Sequence, residues 1–192
     1  MGVLLGLLRP LQILNAGLLS LGRALALSAL AVMVIFILYQ VVMRYFFNAA
    51  PNWTEEAARF LMLWMTGLIG PLAYRQGGFV AIDMAERALP LVLARLLTLL
   101  LLLIAMVVIW TCVQLGWENV NSLSGRGRSA SLRLPLPDGE TFRFRNYHAY
   151  YSLFIGFCLL ALVNTELLLR QVIKILGGAD RLEPLDTAGP ID

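Results

Sequence analysis

The residues able to do chemistry in this chain are few and scattered. One histidine is present, His148, beside Tyr147 and Tyr150 at the mouth of an apolar run, a setting that suits a headgroup or loop contact better than proton transfer. Cys112 and Cys158 are the two cysteines, and both fall inside strongly apolar stretches where they behave as small hydrophobes. That placement argues against a disulfide and against metal ligation. No Ser-His-Asp set, metal-ligand cluster, phosphate loop or CxxC pair occurs, which argues against an enzyme and against any cofactor held by this chain.

Two groups of carboxylates remain to be weighed. Glu166 lies inside an apolar run, where ionisable side chains are rare and often mark an ion or substrate path. It stands four residues before Arg170, so an i,i+4 pair at the membrane interface accounts for it without transport. Asn164 and Gln40 have the chemistry to bond across helices. Glu55 and Glu56 follow Thr54, which fits a helix N-cap, and acidic residues in a first turn favour the positive end of the helix dipole. Helix capping and the docking of a partner are both open for this pair.

The elements that must position these residues are set by hydropathy. The chain is 59% hydrophobic and only 14% charged, with a mean hydropathy of +0.77, more apolar than a soluble fold of this length can hide. A bilayer must take up the surplus. The net charge of +3 is modest and contains no basic run, consistent with anionic membrane lipids as neighbours and not with nucleic acid.

A helix of roughly 20 apolar residues crosses the hydrocarbon core with every backbone group satisfied internally. Four segments qualify: 24–43, 57–75, 96–117 and 149–170. The second is interrupted by Gly67, Gly70 and Pro71, which membranes tolerate where another helix packs closely, so that face is expected against protein. Residues 3–19 place Leu4, Leu7, Leu8, Leu11, Leu14 and Leu18 at helical spacing, predicting either an amphipathic helix on the membrane or, because of Pro10, a kinked lead-in to the first span. Asp83, Glu86 and Arg87 recur at helical spacing within 80–89, predicting a short interfacial helix.

Residues 118–147 read as an extramembrane loop, with a small hairpin around Asp138-Gly139, and 177–192 read as a tail. The fold class is therefore an all-α membrane protein of four transmembrane helices in a single membrane domain. Four spans put both termini on one side, and the Lys and Arg residues split eight to seven between the two sides. Five of the seven lie in the long loop, mostly far from span ends, where they weigh little. This tilts the topology towards cytoplasmic termini, which makes the long loop periplasmic.

The string Arg44-Tyr45-Phe46-Phe47-Asn48-Ala49-Ala50-Pro51-Asn52-Trp53-Thr54-Glu55-Glu56 resembles the small integral-membrane subunit of tripartite ATP-independent periplasmic (TRAP) transporters. Arg44, Pro51, Trp53, Glu55 and Glu56 carry the likeness in order and spacing, and Arg59, Trp64, Gly67, Arg75, Gly77 and Asp83 continue it. Phe79 stands where that family commonly has a histidine, so no role of that histidine carries over. The resemblance implies a bacterial inner-membrane protein without enzyme activity. Its partners would be a large multispanning permease subunit, which moves the solute with sodium coupling, and a periplasmic solute-binding protein. It also implies that Trp53, Glu55, Glu56 and Arg59 face one of these partners near the periplasmic surface. Two rivals stand beside it: an accessory or assembly subunit of another inner-membrane complex, and a small self-contained homodimeric transporter.

Overall fold

The computed structural model describes residues 2–49, 51, 53–77, 89–125, 131–135, 141–145 and 147–178. Four long helices carry the fold: α1 (Gly2–Phe46), α2 (Trp53–Arg75), α3 (Leu91–Gly125) and α4 (Tyr147–Ile175). All four contain stretches long and apolar enough to cross a membrane, and the chain is a multi-pass membrane protein. Between α3 and α4 lie two strands, β1 (Ser131–Pro135) and β2 (Thr141–Arg145), paired antiparallel. The two strands expected on either side of Asp138-Gly139 are thus present.

The lead-in and the first span are one helix. α1 runs 45 residues without a break, roughly 67 Å at 1.5 Å per residue, so no separate surface helix occupies 3–19. Its packed face also differs from the leucine stripe. Of those leucines Leu8 is buried, Leu11 is half-buried, and Leu14 and Leu18 are exposed; the side chains of Leu4 and Leu7 lie outside the described residues. The face turned inward is Leu8, Asn15, Leu19, Gly22 and Ala26, all buried, continued by half-buried Ala29, Met33, Phe36, Gln40 and Met43. With half-buried Gln12, these positions alternate steps of three and four, the narrow seam of helices that pack along their length.

The neighbours follow from cross-helix contacts. A Cβ on Gly22 would lie 3.6 Å from the Leu68 carbonyl oxygen, Asn15 lies level with the end of α2, and the ring of Phe36 meets that of Trp53. α1 and α2 therefore run antiparallel. α4 packs against α1, α2 and α3, and its span has the largest buried share, 28% against 6% for α1. α4 is the hub, and the outer helices give most of their apolar surface to lipid or to other protein. It ends in a Schellman motif: Gly178 N–H donates to Ile173 O, Gly177 N–H donates to Lys174 O, and Gly177 takes φ 82°, a conformation that glycine adopts without a Cβ penalty.

α3 and α4 are both longer than their predicted spans. α3 starts at Leu91 and continues to Gly125, so the first part of the expected 118–147 loop is helical. The interfacial helix predicted over 80–89 falls, apart from Leu89, outside the described residues, as does the tail beyond Gly178.

α2 and α4 cross at their closest through glycines. A Cβ on Gly156 would sit 2.6 Å from the Gly67 carbonyl oxygen, and one on Gly67 would sit 2.6 Å from the Ser152 carbonyl oxygen. Backbone atoms cannot yield as a flexible side chain would. Gly156→Ala is therefore expected to destabilise the chain by about 1–3 kcal/mol. Gly70→Ala, with nothing within 4 Å of its Cβ position, should leave stability unchanged. Thermal unfolding of both variants in detergent checks this, and equal midpoints would contradict the crossing.

Candidate functional site

Two constellations stand at opposite ends of the α1–α2 pair. The first is the entrance to α2. α1 ends in a turn where Asn48 takes φ 51°, one of the few non-glycine residues that visit this region routinely. α2 is already helical at Trp53, so Thr54 stands inside the first turn and is not its N-cap. Its hydroxyl, 1% exposed, donates back to the Pro51 carbonyl at 2.8 Å.

Trp53 packs its indole edge-on against Phe36, 5.6 Å between centroids, and beside Tyr39 at 6.2 Å. It pins the start of α2 to α1. Glu55 and Glu56 are both exposed in the first turn, where the helix dipole favours them. Glu55 pairs with Arg59 one turn on, an exposed ion pair that contributes roughly 0–1 kcal/mol. Arg44 is exposed at the far end of α1.

Trp64 and Gly67 belong to the interior of α2 and not to its entrance. Trp64 lies against Phe60 at 6.2 Å with the rings tilted, and its buried indole N–H is unpartnered. Gly67 and Pro71 are buried, as expected of a face turned to protein, whereas Gly70 is exposed. Gly70 lines, with Tyr74 of α2 and Phe157 of α4, a groove of about 400 Å³ between the two helices. Asp83 lies outside the described residues. The structure thus brings Trp53, Glu55, Glu56 and Arg59 onto the first turns of one helix and distributes Arg44, Trp64 and Gly67 elsewhere.

The second constellation was only half visible in the sequence. Glu166 has no exposure, and its carboxylate collects donors from three helices. Arg75 of α2 reaches Oε1 at 2.9 Å, Arg170 reaches the same oxygen at 3.3 Å, and the Asn15 amide of α1 donates to Oε2 at 2.7 Å. The i,i+4 pair with Arg170 is present, yet it is one arm of an interhelical clasp and not a surface pair. Asn164, two residues earlier, continues the network. It accepts from the Tyr74 hydroxyl at 2.5 Å and donates to the Leu102 carbonyl of α3 at 3.2 Å. Gln171 donates to the Arg95 carbonyl at 2.9 Å.

Every helix is therefore tied to α4 by a polar bond near one end of the bundle. Two arginines facing one carboxylate leave the clasp with a formal excess of one positive charge. The signals that could have located it are Asn15 on the three-four seam, Arg75 closing α2, and buried Glu166 two residues after Asn164. The partners lie far apart in the chain, which hid the network.

The family described as "Tripartite ATP-independent periplasmic transporters, DctQ component" matches residues 33–174. A Haemophilus influenzae protein whose name assigns it to the TRAP transporter small permease proteins is 28% identical over 151 residues, covering 75% of this chain and 83% of that protein. The family match takes in Trp53 and Glu166, whereas Asn15 precedes it.

Breaking the clasp should be costly. Glu166→Ala leaves Arg75 and Arg170 buried without their counter-charge and is expected to destabilise by about 3–5 kcal/mol. Replacing Glu166, Arg75 and Arg170 together by methionine should recover much of that loss. Denaturant titrations in detergent check both, and a triple variant as weak as the single one would argue against the charge assignment.

Proposed function

This chain belongs to the DctQ-component family of tripartite ATP-independent periplasmic transporters, and from that membership we propose that it braces the large, solute-moving subunit of such a transporter. The observation that carries the reading is the use to which intramembrane polar groups are put. Asn15, Arg75, Asn164, Glu166 and Arg170 are bonded to one another or to backbone across helices. A transport site would instead leave such groups converging on a cavity that holds the solute.

The partners are a large multispanning permease subunit and a periplasmic solute-binding protein. Sodium coupling belongs to the large subunit, where solute and ion would meet. The chain sits in the bacterial inner membrane with both termini cytoplasmic, which puts the Glu166 clasp at the cytoplasmic end and Trp53 at the periplasmic end. Glu55 and Glu56 support a docking role because they are exposed there and are not consumed by internal packing. A self-contained homodimeric transporter is the rival, and it would need a solute site of its own.

Deleting the gene should abolish uptake while the periplasmic protein still binds its solute; normal uptake in the deletion strain would overturn the brace. In the presence of this chain, Glu55→Gln combined with Glu56→Gln should leave insertion and helicity unchanged and weaken co-purification of the large subunit or the binding protein. Loss of folded protein instead would assign the pair to helix capping. Solute flux into liposomes holding this chain alone would favour the rival.

A further inference from the structure

Arg23 stands apart from the charged residues that the bundle pairs within itself. It follows Gly22, on which a Cβ would lie 3.6 Å from the Leu68 carbonyl oxygen. Leu68 is near the middle of residues 60–74, the stretch of α2 between Arg59 and Arg75 that holds no charged residue. At 1.5 Å per residue it lies roughly 13 Å along the helix from Arg59 and roughly 10 Å from Arg75. Arg23 is therefore level with the middle of the apolar layer and not with a headgroup boundary. Arginines near helix ends snorkel to the interface; from the middle of a span the side chain does not reach.

No group of the chain compensates this charge. Among the described residues Arg23 takes part in no hydrogen bond and no ion pair. Glu166, about 12 Å away along α1, is committed to Arg75, Arg170 and Asn15. Glu55 and Glu56 are in the first turn of α2, and Glu118 stands towards the end of α3. The remaining acidic residues precede, follow or connect the helices. A second copy inserted the same way round carries its carboxylates at the same heights and supplies none here. Arg23 itself is half-buried at the edge of the α1 seam: Leu19 and Ala26 beside it are buried, whereas Ser20 and Leu27 are exposed. It borders both the packed face and the open one.

We propose that Arg23 pairs, within the membrane, with a carboxylate on a span of the large permease subunit. The pairing rests on the bracing role proposed above and names its point of contact. A charge left unpaired in hydrocarbon is costly, and a partner carboxylate offsets that cost only in the assembled complex. A guanidinium fork meets a carboxylate through two parallel hydrogen bonds in fixed geometry, so the contact sets the height at which the two subunits lie against each other. A lipid phosphate would match the charge but lies roughly 15 Å from the midplane.

The chain co-expressed with its large subunit tests this, reading the apparent Kd between the two in detergent. Arg23→Gln should weaken the complex about tenfold, while Arg23→Lys, which keeps the charge, should retain most of the affinity. Without the partner, Arg23→Gln should unfold no earlier than the wild type, because it removes a charge that nothing in the chain offsets. A glutamine variant that binds as tightly as the wild type overturns the pairing, and so does a lysine variant as weak as the glutamine one. Early unfolding of the isolated glutamine variant would assign Arg23 to internal packing and overturn it as well. A photocrosslinker at Leu27 in whole cells should capture the large subunit; capture of phospholipid alone refutes the contact. The brace is judged separately by deletion of the gene: uptake lost on deletion together with full affinity of Arg23→Gln removes this pairing and leaves the brace standing.

Discussion

A carboxylate with no solvent exposure inside a membrane span is the constraint around which this structure is organised. Removing an ionised carboxylate from water costs several kcal/mol even after relaxation, and hydrocarbon offers no partner to offset it. Glu166 must therefore be surrounded by donors, and Arg170 on its own helix supplies only one of them. The others come from α1 and α2, which obliges three helices to meet at one height. That meeting sets how far α2 extends before Arg75 closes it and which turn of α1 lies against α4. Among the described residues of α1, Asn15 bonds the carboxylate, and a single buried Asn on a three-four seam is the best-attested way to select one register among several.

Packing elsewhere is governed by closeness and not by apolar burial, since lipid tails are as apolar as leucine and nothing drives leucines inward. The seam of α1 accordingly has Gly22 and Ala26 at its middle, while Ile13, Leu21 and Leu25 are exposed. The α2–α4 crossing goes further, with Gly67 and Gly156 stacked backbone on backbone. At such separations dispersion contacts are made along the whole interface, and they replace the hydrophobic term that holds a soluble bundle together. The polar clasp and the glycine crossing are complementary. One selects the register, and the other permits the approach that the register demands.

The same physics explains what could be read from the chain in advance. Span number was legible because length and apolar content are what a bilayer selects, and Ala24 to Met43 or Leu96 to Trp117 leave no alternative. The buried face was not legible. Leucine periodicity marks the inside of a soluble helix but the lipid side of a membrane one, so the stripe through Leu14 and Leu18 pointed the wrong way. Of the two readings of residues 3–19, a surface helix or a lead-in to the first span, the lead-in holds, because neither Gly22 nor Arg23 stops a helix that has a neighbour to lie against. Glu166 was legible as a paired residue, but its other two partners lie far away in the chain, and no local spacing could supply Arg75 or Asn15. At the entrance, Trp53, Glu55 and Glu56 were recognisable as a unit because they share the first turns of one helix. Thr54 was misread as the cap because the helix begins two residues sooner, at Trp53.

The two constellations together determine how stiff the α1–α2 pair can be. Between Asn15 and Phe36, α1 rises roughly 32 Å, close to the roughly 30 Å thickness of a hydrocarbon core. The two pins, the Glu166 clasp and Trp53 against Phe36 and Tyr39, are therefore separated by about the thickness of that core. A helix pair fixed only at its centre can splay at both ends, and a pair fixed at one end can pivot there. Pinning at both ends removes each of these motions while leaving the outward faces apolar and unconstrained. A buried ionic clasp at one end and an aromatic contact at the other achieve this with few polar residues inside the spans.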